Sequence, residues 1–366
     1  MSTFFVAGIG IAIFIEFLLI SKKNKSTPDL ILTLWMFLII VHFFLLYVSI
    51  TGDAYSFPFL LGIEQPLPLL QGVFLYLYTS HLTRQLPENR KFLLLHFIPA
   101  AVMYLYLVSF FVLPTEQKIQ VYRDRGAGYE LYGIIRHYAV WLSGVVYVIW
   151  SAVLLRRHRH NIRDRFSDLE RVNLQWLQIL TWGLGGIWVL VIFFRSEILV
   201  LAGIVIFVFL IGFFGVRQAG IFASRELPAE ANELKKKYPK SGLTEEAAGK
   251  LHQELTQLMT KDALYKKSDL SIDDLASRVG VHPNYLSQII NQIEKKNFYD
   301  FVNTFRIEEF KRLITMQKNQ QYTLLSLAYD CGFSSKTSFN RYFKKVTGQT
   351  PSEYSAALTT GQNTPS

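Results

Sequence analysis

Residues 324–347, LLSLAYDCGFSSKTSFNRYFKKVT, decide the fold of the C-terminal part of this chain. Apolar residues recur at three- and four-residue spacing on both sides of Gly332, a pattern typical of two helices joined by a tight turn. The inward-facing positions are expected to be Leu327, Ala328, Cys331, Phe339, Phe343 and Val346. The stretch therefore predicts a helix-turn-helix unit.

A second unit of the same kind precedes it. Ser271 is a suitable N-cap for a short helix over Ile272–Val279, and Gly280 permits the turn that follows. The next helix is predicted over Pro283–Gln292, with proline in its first turn, where the missing N–H would be unpaired in any case. The C-terminal part thus contains two predicted helix-turn-helix units.

The outer face of the last predicted helix is basic. Between Cys331 and Ser352 there are four Lys or Arg and no Asp or Glu. In a helix-turn-helix protein this second helix is the one that lies in the major groove. A DNA-reading surface is therefore favoured over a merely solvated basic face.

These residues resemble the AraC family of bacterial transcription regulators over about Lys261–Ala357. The most specific part of the match comprises Ala328, Tyr329, Asp330, Cys331, Gly332, Phe333, Ser335, Ser338, Phe339, Arg341, Phe343, Lys344, Lys345, Gly348, Thr350, Pro351 and Tyr354. The earlier unit matches at Leu275, Ala276, Val281, Pro283, Tyr285, Leu286, Ser287, Phe298, Arg306, Ile307 and Glu308. The resemblance implies a long helix, about Phe298–Met316, between the two units and two recognition helices in successive major grooves.

The same resemblance implies which side chains meet DNA. They are Asn284, Ser287 and Gln288 at the first groove and Lys336, Thr337, Asn340 and Arg341 at the second. Lys344 and Lys345 lie further along the same helix, where contact with phosphate is expected. The chemistry agrees, because arginine pairs with a guanine edge and Asn or Gln with adenine. Two residues depart from the family pattern. Lys295 replaces the usual glycine after the first recognition helix, and Gln288 stands where arginine is frequent.

The first 216 residues have a different texture. The whole chain is 51% hydrophobic and 18% charged, whereas a soluble domain carries about 25% charged residues. Apolar segments long enough to span a bilayer occur at Phe4–Ile20, Leu30–Ile50, Phe92–Leu113, Ile134–Leu155, Leu174–Phe194 and Ile198–Val216, with a shorter one at Pro66–His81. The predicted fold is all-α, with a seven-helix transmembrane bundle over 1–216 followed by a cytoplasmic double helix-turn-helix domain over 261–358.

Basic residues indicate the orientation of these segments. The chain carries a net charge of +10, and Lys and Arg cluster at 22–25, 84–91 and 156–171, after alternate predicted spans. Cytoplasmic loops carry this excess. The N-terminus is therefore expected outside the cell and the C-terminal domain in the cytoplasm. The chain is expected in the cytoplasmic (inner) membrane of a bacterium.

Three ionisable side chains fall within the predicted spans, namely Glu16, His42 and His96. Such groups are costly in a bilayer and are functional candidates. Glu16 and His96 are expected at a similar depth, where they could pair. A purely structural hydrogen bond is the alternative reading.

A linker over 217–260 joins the two parts. Its lysine run Lys235–Lys237 suits anionic lipid, although a solvated linker would look the same. A helix over about 244–259 is expected either to pack on the C-terminal domain or to pair with a second copy of the chain. Residues 359–366 are expected to form a flexible tail.

An enzyme is not favoured. The sequence lacks a phosphate-binding glycine loop after a strand, a nucleophile elbow and a set of Cys and His ligands, so neither a cofactor nor a metal is expected. The leading hypothesis is a membrane-bound regulator that binds double-stranded DNA and senses an unidentified ligand or membrane partner, with a homodimer as a further option. A receptor or transporter with a DNA-binding feedback output is the alternative, and proteolytic release of the C-terminal domain is a third.

Overall fold

The structure is a computed structural model that describes residues 2–170, 172–194, 197–217, 245–316 and 321–362. Within these ranges the chain is helical, and the one pairing of strand type is an isolated antiparallel bridge between Phe166 and Ser271. The predicted all-α class is confirmed. The lysine run Lys235–Lys237 and the last four residues of the predicted tail lie outside the described residues.

The chain divides into two compact units. The N-terminal unit comprises Met1–Arg156 and Leu174–Pro228, and the C-terminal unit comprises Arg157–Asn173 and Ala229–Ser366. The short segment 157–173 therefore belongs to the C-terminal unit, although the residues on both sides of it in the sequence belong to the N-terminal unit.

The N-terminal unit is built from helices, most of which are apolar. They are α1 (Ser2–Ser21), α2 (Thr27–Thr51), α3 (Pro68–Leu82), α4 (Ile98–Tyr106), α5 (Val108–Phe111), α6 (Thr115–Arg123), α7 (Glu130–Arg163), α8 (Gln175–Val189) and α9 (Glu197–Arg217). Large apolar side chains such as Trp35, Phe43 and Leu177 are fully buried between them. The start of α2 is fixed by Asp29, whose Oδ2 accepts hydrogen bonds from the Ser26 amide and hydroxyl at 2.7 and 2.6 Å.

Three helices of the described chain are long and apolar enough to span a membrane. They are α2, α7 and the helix Gln175–Phe194, which includes α8 and the π-turn that follows it. Two further apolar helices, Val6–Ser21 and Ile198–Phe214, are shorter in their described parts. The predicted count of seven spanning helices is therefore wrong.

Proline accounts for much of the difference. In the segment predicted at Pro66–His81, the helix begins only at Pro68 and has 15 residues. The segment predicted at Phe92–Leu113 is broken into a 3-10 turn and two short helices, with Pro99 in the first turn of α4. Proline has no N–H to continue a helical ladder from the preceding turn, so a new helix starts there.

The C-terminal unit contains the helices α10 (Glu245–Thr260), α11 (Ile272–Arg278), α12 (Pro283–Ile289), α13 (Phe298–Ile314), α14 (Leu324–Asp330), α15 (Lys336–Thr347) and α16 (Pro351–Gln362). Helix α13 contributes to two hydrophobic clusters. Phe298 and Val302 pack with α11 and α12, whereas Ile307 and Phe310 pack with α14 and α15. One helix thus carries both helix-turn-helix units.

Candidate nucleic-acid interface

The first helix-turn-helix unit is α11, a turn and α12. Helix α11 begins with a reciprocal cap, in which the Asp274 amide donates to the Ser271 hydroxyl at 3.2 Å and the Ser271 amide donates to Asp274 Oδ2 at 3.0 Å. Gly280 has a φ of 68°, which lies in the left-handed region that favours glycine. Helix α12 is then capped by His282, whose Nδ1 accepts from the Asn284 amide at 3.2 Å.

Helix α12 ends in an unusual way. It continues as a π-turn over Ile290–Glu294 and stops at Lys295, where φ is 54° and ψ is 29°. At the end of a helix this left-handed conformation is usually adopted by glycine. Lys295 therefore adopts a conformation that a glycine would adopt with less strain.

The second unit, α14, a turn and α15, is closed tightly at its glycine. Gly332 has a φ of 96°, and a Cβ placed there would lie 2.5 Å from the Tyr265 carbonyl oxygen. Helix α15 is capped by Ser335, whose hydroxyl accepts from the Ser338 amide at 3.1 Å, and it ends at Gly348. The close approach of backbone to backbone explains why glycine is needed at 332.

The inner face of α15 is aromatic. The rings of Phe339 and Phe343 lie 4.7 and 5.5 Å from that of Phe310 on α13, between ring centroids. The Tyr342 hydroxyl donates to the Asp300 carbonyl oxygen at 2.8 Å. Val346, which was predicted to face inward, is 41% exposed.

The outer face of α15 carries the residues predicted to meet DNA. All six side chains, Lys336, Thr337, Asn340, Arg341, Lys344 and Lys345, are exposed and follow one another along the helix. On α12, Asn284 and Gln288 are exposed and Ser287 is half-buried, accepting a long hydrogen bond from Asn291. The structure therefore leaves both sets of predicted contact residues accessible.

One of these residues has a partner within the protein. The Lys345 ammonium lies 2.7 Å from Asp300 Oδ1 on α13. Lys344 makes no ion pair with the described residues. Lys344 is consequently the freer of the two cations for a DNA phosphate.

The candidates within the N-terminal unit are not brought together. His96 Nδ1 lies 2.8 Å from the Tyr147 hydroxyl, and Glu16 Oε2 is buried without a hydrogen-bond partner in the described chain. His42 is half-buried on α2. The expected pair between Glu16 and His96 is absent from this arrangement.

A third element of the C-terminal unit, the segment Arg157–Asn173, was not predicted from the sequence. We call it the docked segment. Its Ser167 amide and hydroxyl both donate to the Leu270 carbonyl oxygen, at 3.1 and 2.7 Å. The Ser167 carbonyl oxygen accepts from Asn303 at 3.2 Å and from Arg306 at 3.3 Å. The docked segment is thus bonded to the same helix, α13, that carries both units.

Apolar side chains of the docked segment complete the hydrophobic core. Ile162 and Leu169 are buried against the cluster that contains Ile307, Phe310 and Phe333. In the sequence, Ile162 and Leu169 lie at helical spacing from Phe166 within an arginine-rich stretch. The arginines of that stretch are more simply explained as determinants of membrane orientation. Packing of this kind is a tertiary contact, and no local pattern specifies it.

The docked segment also reaches the recognition helix. The Ser335 hydroxyl, at the N-terminal end of α15, donates to the Glu170 carboxylate. Helix N-termini favour negative charge, since their unpaired N–H groups and dipole point outward. Glu170 thus occupies a place where an anion is stabilised.

A charged cluster holds α13 in place. The Glu309 carboxylate accepts from Arg312 Nε at 2.7 Å and lies 3.1 Å from the Lys266 ammonium. The hydrogen bond from Arg312 is the main cause that lowers the pKa of Glu309 to about 2. Burial lowers the pKa of the Arg306 guanidinium to about 10.

No metal chemistry is indicated by the described residues, since they contain no group of three or more His, Cys, Asp or Glu arranged to hold an ion. Cys331 is fully buried, and burial raises the pKa of its thiol to about 12. Its surroundings are those of an inert core residue.

Comparison with known proteins identifies the C-terminal part. Residues 275–357 match a family model described as a helix-turn-helix domain. The chain is 37% identical over 91 residues to an uncharacterized HTH-type transcriptional regulator of Staphylococcus aureus (strain COL), an alignment that covers 25% of this chain and 12% of that protein. It is 32% identical over 87 residues to the uncharacterized HTH-type transcriptional regulator YijO of Escherichia coli (strain K12), which covers 24% of this chain and 30% of that protein.

The matches are confined to one domain. The chain spans about an eighth of the length of the first of these relatives and under a third of the second. No solved structure matches. The match over residues 275–357, shared with proteins named as transcriptional regulators, supports the expectation of a regulator rather than an enzyme for this part of the chain.

Proposed function

We propose that this protein is a membrane-anchored transcription regulator. Its C-terminal unit binds specific double-stranded DNA through two AraC-type helix-turn-helix units, and its N-terminal unit controls that binding from the bacterial cytoplasmic membrane. The DNA-binding part rests on the domain match and on the basic outer face of α15. The membrane part rests on three apolar helices of sufficient length.

Base reading is assigned to α15 first. Arg341 and Asn340 are exposed on the face opposite the aromatic core, and their side chains suit guanine and adenine edges respectively. Helix α12 contributes neutral side chains, Asn284 and Gln288, so its share of the electrostatic attraction is small. Affinity therefore comes mainly from the second unit.

The observation that carries the control is the docked segment. Helix α7 is one of the three candidate spans, and its last two turns, from Arg157, belong to the C-terminal unit together with the residues that follow, up to Asn173. A segment attached by the chain to a membrane helix is therefore part of the DNA-binding core. A displacement of α7 acts directly on the residues that hold α13.

Glu170 supplies a way to convert such a displacement into a change of DNA affinity. Its carboxylate bonds to Ser335 at the N-terminal end of α15. Protein–DNA complexes commonly use helix N-termini and hydroxyl groups to hold phosphates. A carboxylate in that place competes with the phosphate, and withdrawing the docked segment removes the competitor.

The function is tested with the full-length tagged chain in cells. Membrane fractionation and chromatin immunoprecipitation with sequencing should find the intact chain in the membrane pellet and enriched at discrete genomic sites. Arg341→Ala should lower the enrichment at those sites and relax the sequence preference at one base pair. The control is Lys311→Ala on α13, whose ammonium lies 2.9 Å from the Glu308 carboxylate of the same helix.

Three results would overturn the proposal. The first is a chain that fractionates as a soluble protein. The second is enrichment spread evenly over the genome, and the third is an equal loss from Lys311→Ala. Detection of a free C-terminal fragment at the bound sites would favour proteolytic release over tethered action.

A further inference from the structure

A cavity of about 750 Å³ lies within the N-terminal unit. Its walls come from the residues before α3, from α5 and α6, and from the first two turns of α7. The aromatic side chains Phe110, Tyr122, Tyr129 and Tyr132 line it. Both its size and its largely apolar lining are typical of sites for small organic molecules, which usually have volumes of about 300–1,000 Å³.

One polar group in this wall is left without a partner. Tyr132 is 5% exposed, and its hydroxyl makes no hydrogen bond within the described chain. Two neighbouring tyrosines are satisfied, because Tyr122 donates to the Glu64 carboxylate at 2.6 Å and Tyr104 donates to the Ile63 carbonyl oxygen at 2.8 Å. A buried hydroxyl without a hydrogen-bond partner is destabilising, so its retention at a cavity wall points to a ligand.

The charges on the wall are mainly positive. Arg125 and Arg136 line the cavity and form no ion pair with the described residues. Glu130 is the one acidic residue of the lining, and its carboxylate already accepts from the Gly128 amide at 2.9 Å. His137 is the remaining titratable side chain apart from the tyrosines.

Arg136 is placed to act with Tyr132. The two residues are four positions apart on α7, so their side chains lie on the same face of the helix. Arg136 is half-buried on a helix that is otherwise apolar enough to span a membrane. A cation in such a place is costly without an anionic partner.

We propose that this cavity binds a small organic anion with an aromatic body, whose acid group lies between the Arg136 guanidinium and the Tyr132 hydroxyl. A guanidinium holds a carboxylate or sulfonate with two parallel hydrogen bonds, and the tyrosine supplies a third. The rings of Phe110, Tyr122 and Tyr129 receive the aromatic body by offset or edge contacts. Binding of the anion does not depend on the proposed function. Only the assignment of this anion as the signal that controls DNA binding rests on it.

The test uses the full-length chain in phosphatidylcholine nanodiscs and two probes with the same ring system. 8-Anilino-1-naphthalenesulfonate is an aromatic anion, and N-phenyl-1-naphthylamine is its neutral counterpart. After subtraction of empty nanodiscs, the anion should bind saturably at one site per chain. Binding should weaken at least tenfold in Arg136→Gln and threefold or more in Tyr132→Phe.

The matched control is Arg123→Gln. Arg123 lies on α6 with its guanidinium over the Tyr55 ring, 5.5 Å from the centroid, and it does not line the cavity. Its substitution should change the affinity by less than twofold. Circular dichroism of each variant checks that the helices are retained, and Arg136→Lys should restore part of the affinity by restoring the charge.

Equal saturable binding of the two probes would overturn the proposal in favour of an apolar cavity for lipid or detergent. Unchanged binding of the anion in Arg136→Gln would also overturn it. Neither result bears on the DNA-binding function, because enrichment of the same variants at genomic sites is measured separately. If the chain shows no enrichment at discrete genomic sites while the anion binds as expected, the anion site is retained and the proposed regulatory function is wrong.

Discussion

The Arg306 guanidinium donates hydrogen bonds to both oxygens of Ser167, to the carbonyl at 3.3 Å and to the hydroxyl at 3.1 Å. Both residues are 1% exposed. The remaining acceptors of Arg306 include the carbonyl oxygens of Tyr265 and Lys267, at 2.7 and 2.8 Å. A buried charge is thus satisfied by neutral oxygens from two separate parts of the chain. The loss of one of these acceptors is expected to destabilise the fold, because a buried charge needs hydrogen-bond partners.

Ser167→Ala should destabilise the C-terminal unit by about 1–3 kcal/mol, the usual range for a lost hydrogen bond to a charged group. The variant removes the hydroxyl that accepts from Arg306 and donates to Leu270. All six tryptophans precede residue 189, so tryptophan fluorescence does not report on this unit. Hydrogen exchange of peptides from α13 and α15 is the appropriate measurement.

Thr260→Ala is the control for that experiment. The Thr260 side chain is exposed and its hydroxyl donates only to its own helix, at 2.8 Å from the Thr256 carbonyl oxygen. Its exchange rates should match those of the unchanged chain. Equal protection in Ser167→Ala would show that the docked segment contributes nothing to the stability of α13.

The two turn glycines should differ sharply in their tolerance of a methyl group. Gly332→Ala should cost about 2–4 kcal/mol, because its left-handed φ adds strain and the new Cβ would lie 2.5 Å from the Tyr265 carbonyl oxygen. Gly280→Ala should cost about 1 kcal/mol, since its φ is 68° but no atom lies within 4 Å of the added Cβ. The midpoint of thermal unfolding, followed by circular dichroism, ranks the pair, and a similar loss in both would contradict the turn geometry.

Arg341 and Lys344 should affect DNA binding in different ways. Arg341→Ala should cost about 1–3 kcal/mol at one base pair and relax the preference there, whereas Lys344→Ala should weaken all sequences and lower the salt slope by about one. Lys345→Ala should have the smaller effect on the slope, because Asp300 already holds its ammonium at 2.7 Å. Equilibrium binding of the full chain to specific and scrambled duplexes at several salt concentrations separates the three. Uniform, sequence-independent losses in all of them would refute the assignment.

Acid should remove the contribution of Glu309. Its folded-state pKa, about 2, lies below the ordinary value of 4.5, so the stabilisation is complete above about pH 4.5 and disappears as the pH falls toward 2. Glu309→Gln should therefore lower the stability by about 1–3 kcal/mol at neutral pH and by progressively less below pH 4.5. Unfolding of both chains in urea, followed between pH 2.5 and 7, gives this difference directly, and a constant difference would contradict the pKa.

The helix-turn-helix units could be predicted because their determinants are local. Ser271 and Ser335 cap the helices that follow them, and Gly280 and Gly332 take positive φ values at the two turns. The exposure of Arg341 follows from the same helical periodicity that buries Phe339 and Phe343. These features are determined within a few residues of each other.

The remainder depends on contacts that periodicity does not contain. The pairing of Ser167 with Arg306 joins residues 139 positions apart. Hydrophobicity alone also overstated the spans, since it counted the residues around Pro68 and Pro99 as though a helix could pass through them. The partnerless hydroxyl of Tyr132 is likewise visible only when all its neighbours are in place.

The burial of Cys331 makes this chain convenient for chemical labelling. It is the only cysteine in the sequence, it is 0% exposed, and the raised pKa keeps its sulfur as the unreactive thiol. Single cysteines introduced elsewhere would therefore be modified by maleimide spin labels or fluorophores without interference from the native residue. A label on the docked segment and a second on α15 would report their separation in the working protein, and Cys331 could be left in place.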